Sequence, residues 1–270
     1  MARRKERWGS CPGGGARCFE RVGLSVPRRQ YRNPPVEEVL CIFEFPQSCK
    51  WDASLPGELY SKISDEFPNK RPGKQYNLQV EIGPEAAAST IGSRDIVSFF
   101  AKDNRFAVQV MPFLLAVAHF PGGNFDWDEY RRVVSRVSAS FGSLSEVTAA
   151  SINLVFRNRI CLPGSVVSIE EYLEFFPYSS LLVKRPELQV SGFIAGLQLQ
   201  QDESEALRMT ITGLPKVPSE DMTPIMLEIA YIALQPPNLE PLLERAEERL
   251  SDAFESCITD KTRELFGGVH

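Results

Sequence analysis

The chain has 270 residues, 43% of them hydrophobic, with 30 Lys/Arg against 35 Asp/Glu and a formal net charge of −5; this is enough apolar material for one large core or two modest ones. Residues 1–35 hold nine Lys/Arg against Glu6 and Glu20, a charge of +7, which leaves −12 on residues 36–270. Affinity for nucleic acid comes mainly from Lys/Arg on phosphates, so an acidic body disfavours it and leaves only the basic leader as a place for it. No stretch approaches the apolar length of a membrane span, since the best candidate, Phe106 to Phe120, contains Gln109 and Pro112. The leader carries charge but no apolar core of a secretion signal, and a cytoplasmic location is expected.

Residues 1–30, through CPGGGARC and VPRRQ, show no apolar period and are expected to be disordered. Two origins stand open for them: a basic tail, or a start codon assigned too early, with translation beginning near Val22. Order is expected from Asn33-Pro34-Pro35, followed by a strand from Val36 to Phe45 with Val39, Cys41, Phe43 and Phe45 on one face. A helix follows from Leu55 to Phe67, with Ser54 as N-cap, Pro56 in the first turn and Pro68 as its stop. Strands come next around Leu78 to Ile82, Ile96 to Ala101 and Phe106 to Val110, and their alternation suits an antiparallel sheet. A helix from Phe125 to Phe141 turns Tyr130, Val133, Val134 and Val137 inward.

From Ser145 the order repeats. A strand with Ile152, Leu154 and Phe156 inward runs to Cys161-Leu162-Pro163, and a short helix follows around Ile169 to Phe176. Strands are expected at Leu188 to Gln200, Ala206 to Gly213 and Ile225 to Leu234. A last helix of about 28 residues starts after Pro236-Pro237 and is stopped by Gly267-Gly268. The fold class is therefore α+β: a leader at 1–30, a first antiparallel-sheet module at 31–143 and a second at 144–270, with helices on one side and a long C-terminal helix. The duplication rests on element order alone.

The chemistry-bearing residues are few. Six cysteines at 11, 18, 41, 49, 161 and 257 form no CxxC pair, so free thiols and no metal site are expected, with Cys41, Cys161 and Cys257 as buried small hydrophobes. His119 is the single histidine inside the body, and no GxSxG elbow or phosphate-cradling glycine loop accompanies it. No cofactor is expected. Glu37 and Glu38, as strand neighbours, should point to opposite faces. Asp126, Asp128 and Glu129, like Glu170 and Glu171, open predicted helices, where acids complement the helix dipole.

Arg157-Asn158-Arg159 interrupts an apolar strand, and alternation puts both arginines on the open face with Asn158 inward. Paired guanidinium groups suit a carboxylate, a phosphate or an acidic partner. The competing reading is a pair of internal salt bridges to Asp260 or Glu264, if the last helix covers that face.

Several motifs belong together: Asn33-Pro34-Pro35 with Glu37-Glu38-Val39, Glu66-Phe67-Pro68, Asn158-Arg159-Ile160 with Leu162-Pro163, Glu171-Tyr172-Leu173 with Pro177, and Ile258-Thr259-Asp260 with Arg263. The set resembles a sporadically distributed family of uncharacterised bacterial proteins of about 250 residues. The resemblance spans residues 31–266, and Arg157, Cys41 and Glu44 depart from its pattern. It implies no activity or catalytic residue, and its sporadic distribution implies a link to mobile or defence genes.

The function expected is a non-enzymatic interaction or assembly subunit whose partner is another protein or a second copy. The alternative is a small-ligand sensor or enzyme with a cleft between sheet and long helix, contacted by His119, Arg157 and Arg159. Nucleic-acid binding through the leader ranks last.

Overall fold

The computed structural model describes residues 29–48, 51–82, 87–122, 125–145, 147–165, 167–174, 193–215, 221–235 and 238–267. The expected leader, apart from Arg29 and Gln30, lies outside them. In chain order the elements are β1 (Val36–Glu44), α1 (Leu55–Ile63), β2 (Asn69–Ile82), β3 (Ala87–Phe100), β4 (Phe106–Met111), β5 (Leu114–His119) and α2 (Trp127–Gly142). There follow β6 (Ser151–Pro163), β7 (Ile194–Gln200), β8 (Glu205–Gly213), β9 (Met222–Leu234), α3 (Leu239–Cys257) and α4 (Asp260–Leu265).

All nine strands join one antiparallel sheet in the order β2-β3-β4-β5-β1-β6-β9-β8-β7. Its middle is the pairing of β1 with β6, in which Val39, Cys41 and Phe43 lie opposite Phe156, Leu154 and Ile152. The period-2 pattern of the sequence explains the layering. Those six residues, with Val108, Val117, Ile229 and Tyr231 of the flanking strands, form one buried cluster with the apolar stripes of α1, α2 and α3. Among the described residues the opposite face carries a thin buried patch made by Leu40, Ala107, Ala118, Val155 and Ala230, with no helical residue in it. At the β2 edge, Pro72 sits where its missing N–H is tolerated.

Several local expectations change. α1 ends at Ile63, and Phe67 stays fully buried from the turn that follows. Ser54 has helical backbone angles and makes no side-chain cap; its hydroxyl bonds Glu58 at 2.5 Å instead. The short helix near Ile169 shrinks to a 3-10 turn at Ile169–Glu171, and residues 175–192, which include the start of one expected strand, lie outside the described residues.

The long last helix is broken. Ile258 takes extended angles (φ −113, ψ 145) to bridge Leu173, and the Thr259 side chain then starts α4 by accepting from Thr262 N. The bridge places Thr262 where its hydroxyl donates to Tyr172 O, so tertiary pairing overrides a helical period that continues through this point. No helix among the described residues is long and apolar enough to cross a membrane.

Leu154, 1% exposed at the middle of the sheet, tests this core. Leu154→Ala is expected to destabilise the fold by about 2–5 kcal/mol, seen as a lower urea midpoint at unchanged slope.

Candidate partner-binding cleft

Where α2 and α3 meet above the C-terminal half of β6, the helix-covered face opens into a cleft of about 890 Å³. Its floor is aromatic. Phe125 lies 5.6 Å from Phe156 and 6.1 Å from Trp127, centroid to centroid, and Trp127 lies 6.5 Å from Phe156. Local sequence sets this arrangement: Asp126 caps α2 by accepting from Glu129 N at 3.0 Å, which puts Phe125 and Trp127 on either side of the cap. Asn158, 2% exposed, continues the floor along β6, and its amide donates to Leu227 O at 3.2 Å.

The segment before β1 forms one wall and is tied to the α3–α4 elbow. Tyr31 donates to Glu255 Oε1 at 2.5 Å, its ring stands edge-on to Phe266 at 5.3 Å, and Asn33 N donates to Phe266 O at 3.0 Å. Arg263 completes the knot through Glu255 Oε2 at 3.0 Å. Burial, and then the Glu255 carboxylate, push the Tyr31 hydroxyl pKa far above its ordinary value, so the hydroxyl remains a donor.

The rim is acidic. Glu240, Glu244, Glu248 and Asp252 recur at four-residue steps along one face of α3. Arg131 of α2 reaches the first half of this stripe, Glu244 at 2.9 Å and Glu240 at 3.9 Å. Glu248 and Asp252 line the cleft, and no ion pair reaches either among the described residues. A negative rim over aromatic walls is suited to hold a cation together with apolar matter. The hydroxyls of the lining are Ser251 and Tyr31, the latter already spent on Glu255.

The residues singled out in the sequence are not gathered here. Arg157 and Arg159 lie on the other face of the sheet. Arg157 bonds Glu38 at 2.5 Å and Glu228 at 2.9 Å, and Arg159 lies 3.5 Å from Glu37. Asp260 and Glu264 are not their partners, because α4 packs on the helix side. A register shift between Val36 and Glu38 lets both neighbouring glutamates meet open-face arginines, contrary to simple alternation. Cys161 is only partly buried, in line with Arg157 and Arg159 on that face, whereas Cys41 and Cys257 are buried. No three His, Cys, Asp or Glu side chains converge as a metal site among the described residues.

His119 is fully buried behind the cleft wall, stacked on Phe106 at 4.2 Å and 5.6 Å from Phe125, and neither ring nitrogen has a hydrogen-bond partner among the described residues. Burial holds its pKa below the ordinary value. The cleft residues escaped the sequence reading because Phe125, Phe156 and Glu248 come from three separate elements. The one signal present was the acidic i, i+4 stripe, which reads equally well as a solvated helix face. Comparison of the sequence with protein-family models and with characterised proteins gives no match.

Two predictions follow from the paired and buried groups. Arg159 and Glu37 are both more than 40% exposed, so Arg159→Glu is expected to stay folded and lose under about 1 kcal/mol in urea denaturation. Burial lowers the His119 pKa in the folded state relative to the unfolded chain, so its contribution to stability is intact above its ordinary pKa and is lost as pH falls through it. Thermal unfolding between roughly pH 7.5 and pH 5 should show the wild type losing more stability than His119→Phe.

Proposed function

We propose that the protein is a non-enzymatic interaction subunit that seats a partner in the cleft between α2 and α3. The observation that carries this reading is the cleft itself, of about 890 Å³, with an aromatic floor and two lining carboxylates, Glu248 and Asp252, that no ion pair reaches among the described residues. A recess of that size suits a ligand or an anchoring segment. The reading includes two modules, 31–143 and 144–270, that share one sheet. In its support, the order β2-β3-β4-β5-β1 is built from the first half and β6-β9-β8-β7 from the second, with β1 and β6 adjacent. The helix that closes each half, α2 or α3, borders the cleft, so the partner would sit on the seam. A bacterial cytoplasmic setting, with a link to defence genes, belongs to the same proposal and rests on the motif resemblance.

The test is quantitative affinity capture from the native host with the full chain and three variants. A stoichiometric protein partner is expected that is lost with Trp127→Ala and with Asp252→Lys but retained by Arg208→Glu on the opposite face. A partner indifferent to both cleft variants, or a retained small molecule with no protein, would overturn the reading.

A further inference from the structure

The α3 stripe is asymmetric, and the asymmetry identifies the occupant. Like charges four residues apart destabilise a helix, so Glu240, Glu244, Glu248 and Asp252 repel one another along one face. Arg131 relieves the first two and nothing described relieves the last two. The unrelieved pair lines the cleft together with the Phe125, Trp127 and Phe156 rings. Deeper in, Asn158, 2% exposed, lines the floor with its amide N–H already given to Leu227 O. Acceptors at the rim, an acceptor on the floor and aromatic faces between them define a site for N–H donors carried on aliphatic stems.

Resting on the reading above, we propose that the cleft takes an extended Lys/Arg-bearing segment of a partner protein. Its cationic heads pair with Glu248 and Asp252, and its side-chain stems lie on Phe125, Trp127 and Phe156. Charge complementarity selects the class, and length supports a peptide: from Glu244 to Glu255 α3 covers about 17 Å, the reach of roughly five extended residues. An Arg or Lys that enters far enough also brings a hydrogen-bond donor to the Asn158 side chain on the floor. Arg131 keeps its bond to Glu244 throughout, so the site stays charge-selective at its unpaired end.

Fluorescence anisotropy with the full chain and a labelled nonapeptide of alternating lysine and alanine tests this. The matching glutamate–alanine peptide and spermine serve as comparators. The lysine peptide is expected to bind, to weaken about tenfold or more between roughly 50 and 300 mM salt, and to weaken about tenfold in Glu248→Gln/Asp252→Asn. Removing two mutually repelling charges should leave the fold intact, which circular dichroism checks, and Glu170→Gln, outside the cleft, should bind as the wild type does. No binding, equal binding by the double variant, or equal binding of the acidic peptide overturns the proposal. Spermine binding tenfold tighter than the peptide, with the same dependence on Glu248 and Asp252, also overturns it, in favour of a small polyamine. Should affinity capture yield a cleft-dependent partner while the basic peptide fails, only the occupant is wrong and the interaction reading stands.

Discussion

The antiparallel ladder between β1 and β6 is the constraint on which the rest of the molecule depends. It joins the strands of the first half to those of the second, and its register decides what each face carries. Because Leu154 pairs with Cys41 on one side and Tyr231 on the other, the helix-side cluster runs unbroken across the join. The same register sets Arg157 between Glu38 and Glu228, with Asn158 pointing the other way beneath the cleft. Slipping this ladder by one residue would bury two arginines and expose Leu154 and Phe156. A core that spans the join is therefore also what holds α2 and α3 side by side.

The two faces spend their charge differently. On the open face the charges are paired: Glu38, Arg157, Glu228 and Arg208 form a chain across four strands, and Arg159 pairs separately with Glu37. Such half-exposed pairs add little stability each, but they leave the surface self-satisfied. The helix side has the opposite character. Arg131 meets the start of the α3 stripe, Arg263 is committed to Glu255, and the last two members of the stripe, Glu248 and Asp252, leave a negative field beside aromatic rings among the described residues. Field and apolar surface coincide there, and low-dielectric walls strengthen any charge pairing made inside.

Local chemistry made much of the fold legible. Alternation in Val39 to Phe45 and in Ile152 to Phe156 predicted both the strands and their buried faces, and Pro56, Asp126 and the Pro236-Pro237 start signal predicted helices that begin near their observed places. The failures have a common cause. The helix break at Ile258 depends on a bridge to Leu173, more than eighty residues away, and the meeting of Glu37 and Glu38 with arginines depends on a bulge. Both are long-range pairings that override the local period.

The site was less legible than the fold. Asn158 was read as inward and is so, but its arginine neighbours drew attention to a face remote from the cleft. By itself the sequence determined the class of structure, the buried faces of β1 and β6 and the acidic composition of residues 36–270. Each of these depends on residue type and short-range period, quantities that survive without knowledge of what lies opposite. Tertiary structure alone decided that Phe125, Trp127 and Phe156 share a floor, that His119 is sealed behind it, and that Glu248 and Asp252 line the same cleft with no ion pair among the described residues. Whether a charge is paired or open depends on which strand and helix the sheet order brings beside it, and no local pattern encodes that.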